Sequence, residues 1–188
     1  VEADDARMLA RELLAEPLPR RWAHSQGVGR KAEAVAHLLG ADAPTVVCAA
    51  WLHDIGYSPT LVDTGMHQLD GARYLRDVAG ADELLCRLVA HHSCAEIEAH
   101  NRGLHGQLVD EFPPTEGLIA DAMTYADMTT TPDGEPVHVQ QRLAEILERY
   151  GEGDLVAESI REASPHIVAS MQRVVALLGH KPAGGTTS

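Results

Sequence analysis

Apolar residues recur at three- and four-residue spacing along most of the chain, and no stretch alternates with the two-residue period of a half-buried strand. Residues 4–16 carry Met8, Leu9, Leu13 and Leu14 on one side and stop at Pro17 and Pro19, which predicts an opening helix. A second helix is expected over 20–39, with Trp22, Val28, Ala32, Val35 and Leu39 facing inward and Gly40 ending it. Pro44 opens a third in its first turn, where the missing N–H has no intrahelical partner to lose. Residues 45–55 are apolar almost all round, so this helix belongs at the centre of the molecule, and Gly56-Tyr57-Ser58-Pro59 breaks it. Further helices are expected over 67–76, 82–92 and 95–101, then over 115–128 after Pro113-Pro114. Residues 129–134 read as a turn, followed by amphipathic helices over 137–150, 154–163 and 164–178. The fold class is all-α. The chain divides into an N-terminal helix (1–19), a helical core (20–128), C-terminal helices packing on that core (129–178), and a Gly/Pro/Thr-rich tail (179–188) expected to be disordered.

Composition narrows the function. Aromatics supply only 4% of residues, so the core is built from Leu, Val, Ile and Ala, which suits helices. Fifteen basic residues against 28 acidic ones give a net charge of −13. Such a surface repels phosphate backbones and anionic lipid, so neither a nucleic-acid polymer nor a membrane is an expected partner. A small phosphorylated substrate stays compatible if metal ions reverse the field locally. Cys48, Cys86 and Cys94 form no CxxC pair, which excludes a zinc-finger pattern or a disulfide framework. With an acidic start lacking a signal-peptide pattern, and no run of about 20 apolar residues, a cytoplasmic protein is expected.

Eleven histidines are the unusual part of the composition. His24 falls in the first turns of the second helix, His53-Asp54 closes the buried third, His67 starts the fourth, His91-His92 ends the fifth, and Asp127 ends the helix over 115–128. Imidazoles and carboxylates converging from several helices are how metal sites are built inside bundles. That donor set suits a divalent ion of the Mn, Fe, Co, Zn or Mg kind better than Ca, and no thiolate is required. Each residue also has a plainer reading. His53 could simply favour the negative end of a helix dipole, Asp127 could cap the Thr-Thr-Thr-Pro turn, and His67 could be an ordinary first-turn residue. His37, His100, His105, His138, His166 and His180 read as ordinary surface or core residues, and Cys94 has no implied base to activate it. Arg20, Arg21, Arg30, Lys31 and Arg73 are the cations nearest the motifs, and Arg73, beyond His67 on the fourth helix, is the choice for a phosphate contact.

Ala49-Ala50-Trp51-Leu52-His53-Asp54-Ile55-Gly56, an apolar run ending in His-Asp-Ile-Gly, resembles the signature of the HD-domain superfamily of metal-dependent phosphohydrolases, and the resemblance covers roughly residues 20–128. It implies a helical bundle with the metal site in its core, ligated by His24, His53, Asp54 and Asp127. His67, followed by Gly71-Ala72, and His91 or His92 occupy the places of two further histidines that hold a second ion in many members. Both members of the pair extend apolar stripes of the helix, one after Leu84 and Leu88 and the other after Leu85 and Val89, and His91 is slightly preferred. This six-ligand version is similar to the bacterial HD enzymes that split dinucleoside tetraphosphates symmetrically, and to HD-type diiron oxygenases. The chain departs from many members at Tyr57, where they carry a lysine. The implied activity is hydrolysis of a phosphoester or phosphoanhydride in a small nucleotide or phosphorylated metabolite. One or two divalent ions serve as cofactor, Asp54, His53 and Arg73 act on the reaction, and Asp54 bridges the ions. Its rivals are an oxygenase on the same scaffold and a non-catalytic metal- and ligand-binding regulator. The C-terminal helices leave open a homodimer or a cover over the chain's own bundle.

Overall fold

The structure, a computed structural model, describes residues 2–179. The expected disordered tail, and His180 with it, therefore lie outside the described residues, except for Gly179, which closes the last helix. Helix α1 (Ala3–Leu14) buries Ala6, Ala10 and Leu14 and leaves Met8 61% exposed. The inward stripe is thus turned from the one expected: alanines let the helix approach closely, and Met8 faces out. Helix α2 (Pro19–Val35) takes Pro19 in its first turn, where a missing N–H is harmless, and tightens into 3-10 geometry over Ala36–Leu38. Helix α3 (Ala43–Leu52) has Val46 to Leu52 all buried. It lies between α1, α2, α5 (Glu83–His91) and α8 (Leu118–Met128), the central position its all-round apolar sequence predicts.

Asp82 caps α5 by accepting the Leu85 N–H. Helix α4 (His67–Asp77) packs along α5 and against the 3-10 turn Ile55–Tyr57 that follows α3. Here the backbones meet directly. A Cβ on Gly56 would lie 2.0 Å from the His67 carbonyl oxygen and 2.7 Å from the Gly71 nitrogen, so only glycine fits. Helices α6 (Ala95–Arg102) and α7 (His105–Glu111) follow a sharp bend, and α7 is an element the polar, mixed sequence did not announce.

The C-terminal part forms a second layer. Helices α9 (Val139–Tyr150) and α10 (Leu155–Gly179) pack on each other and on α8, around Met128, Leu143, Ile146, Ala163 and Ile167. Two helices were expected where α10 runs unbroken, because Pro165 sits on its exposed side while Ala163 and Ile167 are buried beside it. The carbonyl that the proline leaves unbonded faces solvent, and the buried stripe carries the helix through. Among the described residues the only β-pairing is an isolated bridge between Thr130 and Pro136, and no helix is long and apolar enough to cross a membrane. The architecture is all-α.

Candidate metal centre

Six donors meet where the ends of α3, α5 and α8 face the middle of α2 and the start of α4. Helix α2 presents His24, whose Nδ1 donates to the Thr131 carbonyl (3.0 Å). That carbonyl arrives because the 129–137 loop folds back onto Gly27, where a Cβ would lie 2.5 Å from the Gly134 oxygen. At the end of α3, His53 Nδ1 donates to the Ala50 carbonyl (2.9 Å), and beyond α5 His92 Nδ1 donates to the Val89 carbonyl (2.7 Å). His67 is delivered by Asp70, which gathers the N–H groups of Asp63, Thr64 and Gly65 and so fixes the loop before α4.

A carbonyl only accepts, so in each of these three histidines Nδ1 carries the hydrogen and a neutral ring turns the Nε2 lone pair inward. Those lone pairs face other acceptors. His24 Nε2 is 3.0 Å from Asp127 Oδ1, and His53 Nε2 is 3.5 Å from Asp54 Oδ1 and 4.0 Å from Asp127 Oδ1. The His92 Nε2 lone pair lies 3.2 Å from His67 Nε2, on a ring whose tautomer no carbonyl fixes and which is also 3.5 Å from Asp54 Oδ1. His53 Nε2 is fully buried without a hydrogen-bond partner. Donors of His24, His53 and Asp127 lie within 4.8 Å of one another, as do those of His53, Asp54 and His92. Atoms sharing one first-row ion at ~2.1 Å stand about 3–3.5 Å apart, so the donor set fits a divalent cation. Facing lone pairs repel unless a cation lies between them. Two imidazoles and two carboxylates just balance one divalent charge.

The electrostatics agree. Complete burial drives His53 down to about 4 despite the pull of Asp54 and Asp127, so its ring is neutral near pH 7. Burial likewise takes His67 well below the usual histidine range, against the attraction of Asp54. Burial works against ionising Asp54, yet its neighbours His53, Arg21 and His67, among them the permanent charge of Arg21 at 2.8 Å, outweigh it and hold the carboxyl well below its ordinary value. Asp127 is held low in the same way, against burial, by the imidazoles of His24 and His53 beside it. Both carboxylates are therefore ionised near pH 7.

Two expected residues are not brought to the cluster. His91, the preferred member of its pair, turns away and bonds the Phe112 carbonyl through Nε2 (2.5 Å). Helical stripes reach both members of the pair, but α5 ends there: His92 is extended, at φ −60° and ψ 147°, and swings inward. Ser93 and Cys94 then adopt left-handed φ values of 51° and 63°, a strained pair that brings the Ser93 hydroxyl to Asp127 Oδ2 (2.5 Å). Arg73 is engaged by Glu111, Gln107 and Asp63, on the far side of α4 from the donors. The arginine at the cluster is Arg21, three residues before His24 and so on the same face of α2, bonded to Asp54 Oδ2 (2.8 Å). Its guanidinium also lies 3.7 Å over the Tyr57 ring, which stacks on His67 at 4.0 Å. At Tyr57, where the resemblance implies a lysine, the neighbouring cation is thus Arg21 of α2. Two further arginines, Arg142 and Arg149 of α9, line the same space and went unnoticed among the charges of an amphipathic helix. A small cavity of about 80 Å³ opens over the donors.

Comparison with curated proteins finds no match at all, and comparison with solved structures finds none either. The model of one family, described as HD domain, matches residues 21–149, a span that takes in every donor of the cluster together with α9. The chain belongs to the HD domain family.

Proposed function

We propose that the protein is a metal-dependent phosphohydrolase acting on a phosphoester or phosphoanhydride of a small nucleotide or phosphorylated metabolite. The observation that carries this reading is the set of buried Nε2 lone pairs aimed at carboxylate oxygens, with His53 Nε2 unpartnered at their centre. His24, His53, Asp54 and Asp127 would hold one divalent ion, and His67 and His92 with Asp54 a second. Bound there, a divalent ion supplies Lewis acidity toward a phosphoryl oxygen and brings the pKa of a bound water toward neutrality. The chain's residues do the rest. The backbone bonds of His24, His53 and His92 fix ring orientation and tautomer. Asp54 offers Oδ1 between His53 and His67 and keeps Oδ2 on Arg21, a position suited to bridging. Arg21 spends one nitrogen on Asp54 and leaves other N–H groups for phosphoryl oxygens. Ser93 holds Asp127 through Oδ2 and leaves Oδ1 facing His24.

The test is metal content and turnover of the full chain purified without oxygen or chelator. Bound Mn, Fe, Co or Zn together with metal-dependent release of phosphate from a phosphoester panel supports the reading; turnover that persists without metal overturns it. The close approach of His67 and His92 favours a two-ion site, which an oxygenase with two irons would share. Oxygen uptake that depends on an added organophosphonate or polyol, with no phosphate released from the panel, would decide for that second reading.

A further inference from the structure

Helix α9 crosses the opening above the donor cluster. Arg142 and Arg149 are seven residues apart, two turns of helix, and so share one face. Both line the cavity of about 80 Å³ over the donors and, with Arg20, Arg21, His24 and Pro132, an adjoining one of about 50 Å³. No carboxylate lines the second cavity, in a chain whose net charge is −13. The acidic partners sit behind the arginines: Asp133 pairs with Arg20 at 2.8 Å, and Glu145 takes both Arg142 Nη1 and, at 3.4 Å, Arg149 Nε. Arg142 is the telling member. Its side chain is only 6% exposed, and its Nε is buried without a hydrogen-bond partner. A buried guanidinium N–H left unpaired beside three other cations calls for an anion.

Size points to which anion. At roughly 10–15 Å³ for each water-sized position, the larger cavity has room for about five to eight heavy atoms and the smaller for about three to five. Each is close to the size of one phosphate group, and the two share Arg21, His24, Arg142 and Arg149 along their walls.

We propose that the substrate carries two linked phosphates, the reacting one seated over the His/Asp cluster and the other among Arg20, Arg21, Arg142 and Arg149, which makes the substrate a phosphoanhydride rather than a monoester. This rests on the phosphohydrolase reading of the same site. Water oxygen bonds to the phosphorus over the cluster, and the bond from that phosphorus to the bridging oxygen breaks. The electron pair stays on the bridging oxygen, which becomes a terminal oxygen of the arginine-held phosphate. One water is consumed: one of its hydrogens stays on the new phosphate and the other leaves as a proton. The guanidiniums neutralise charge as it develops on the departing oxygen.

The test uses the full, metal-loaded chain with excess ion removed, and compares binding of inorganic pyrophosphate and inorganic phosphate by calorimetry. Pyrophosphate is expected to bind at least about tenfold more tightly. Arg149→Gln, on a side chain 32% exposed and so tolerant of change, should weaken pyrophosphate binding far more than phosphate binding and so remove that preference. Arg142→Gln should do the same, with a circular-dichroism melt to verify that it folds. Equal binding of the two anions, no binding of either, or a preference that survives Arg149→Gln overturns the proposal. The two readings separate cleanly: metal-dependent cleavage of p-nitrophenyl phosphate without a pyrophosphate preference keeps the phosphohydrolase and removes the second phosphate seat. A pyrophosphate preference that Arg149→Gln abolishes, with no phosphate ester or anhydride cleaved, keeps the seat and removes the phosphohydrolase.

Discussion

On the floor of the site, His24, His53 and His92 each give one ring nitrogen to a backbone carbonyl, at 3.0, 2.9 and 2.7 Å, so their directions are set before anything binds. On the wall, Arg142 and Arg149 hang from α9 on long side chains and share the single carboxylate of Glu145. The floor is fixed by main chain and suits a partner that demands geometry. The wall is held by charge and suits one that demands neutralisation. On the proposed reading, one site would hold an ion strictly and an anion loosely.

The floor breaks most completely at its centre. Asp54→Ala or His53→Ala should abolish metal retention and turnover together, read by elemental analysis and a phosphate-release assay. Asp54 also joins floor to wall through Arg21. Arg21→Gln leaves that buried carboxylate unpaired and should cost the chelator-treated protein about 3–5 kcal/mol in a denaturant titration. The loss should shrink when a divalent ion is added. Acid sharpens the contrast. Because His53 titrates near 4 in the fold, below the ordinary histidine value of 6.5, the unfolded chain binds more protons between those limits. The metal-free protein should therefore lose roughly 3 kcal/mol from this ring as pH falls from 6.5 to 4, and the depressed Asp54 and Asp127 should add to the loss below their ordinary value of 3.8. Melting temperature against pH reads it; a flat profile would contradict it. Ser93→Ala frees one oxygen of Asp127 and should weaken metal affinity by about 10–100-fold, measured by competition with a chelating dye. Arg73→Ala, outside both regions, should leave turnover unchanged and cost no more than about 1 kcal/mol, since its pairing with Glu111 lies at the surface.

Floor and wall were unequally legible in the sequence. The apolar run of α3 told of a buried helix, and the doublet at its end told where donors would gather, because both signals are local. His91 and His92 were both visible as continuations of apolar stripes, and what separates them, the end of α5 and two residues in left-handed geometry beyond it, leaves no mark in helical phase. The wall was invisible for a different reason. Arg142 and Arg149 sit on a helix whose charges look like a solvated face, and only the packing of α9 beside α10 and α8 turns them toward the donors. Nor could composition reveal α7, or the passage of α10 through Pro165, since each depends on what the chain packs against.

Gly56 fixes what this protein can become. With no side chain between the turn carrying Asp54 and the helix carrying His67, the joint contains nothing that a substitution could trim or enlarge. The separation of those two donors is therefore closed to gradual adjustment. On the proposed reading, a descendant of this chain that came to prefer another ion would exchange one donor atom for another before it resized this joint.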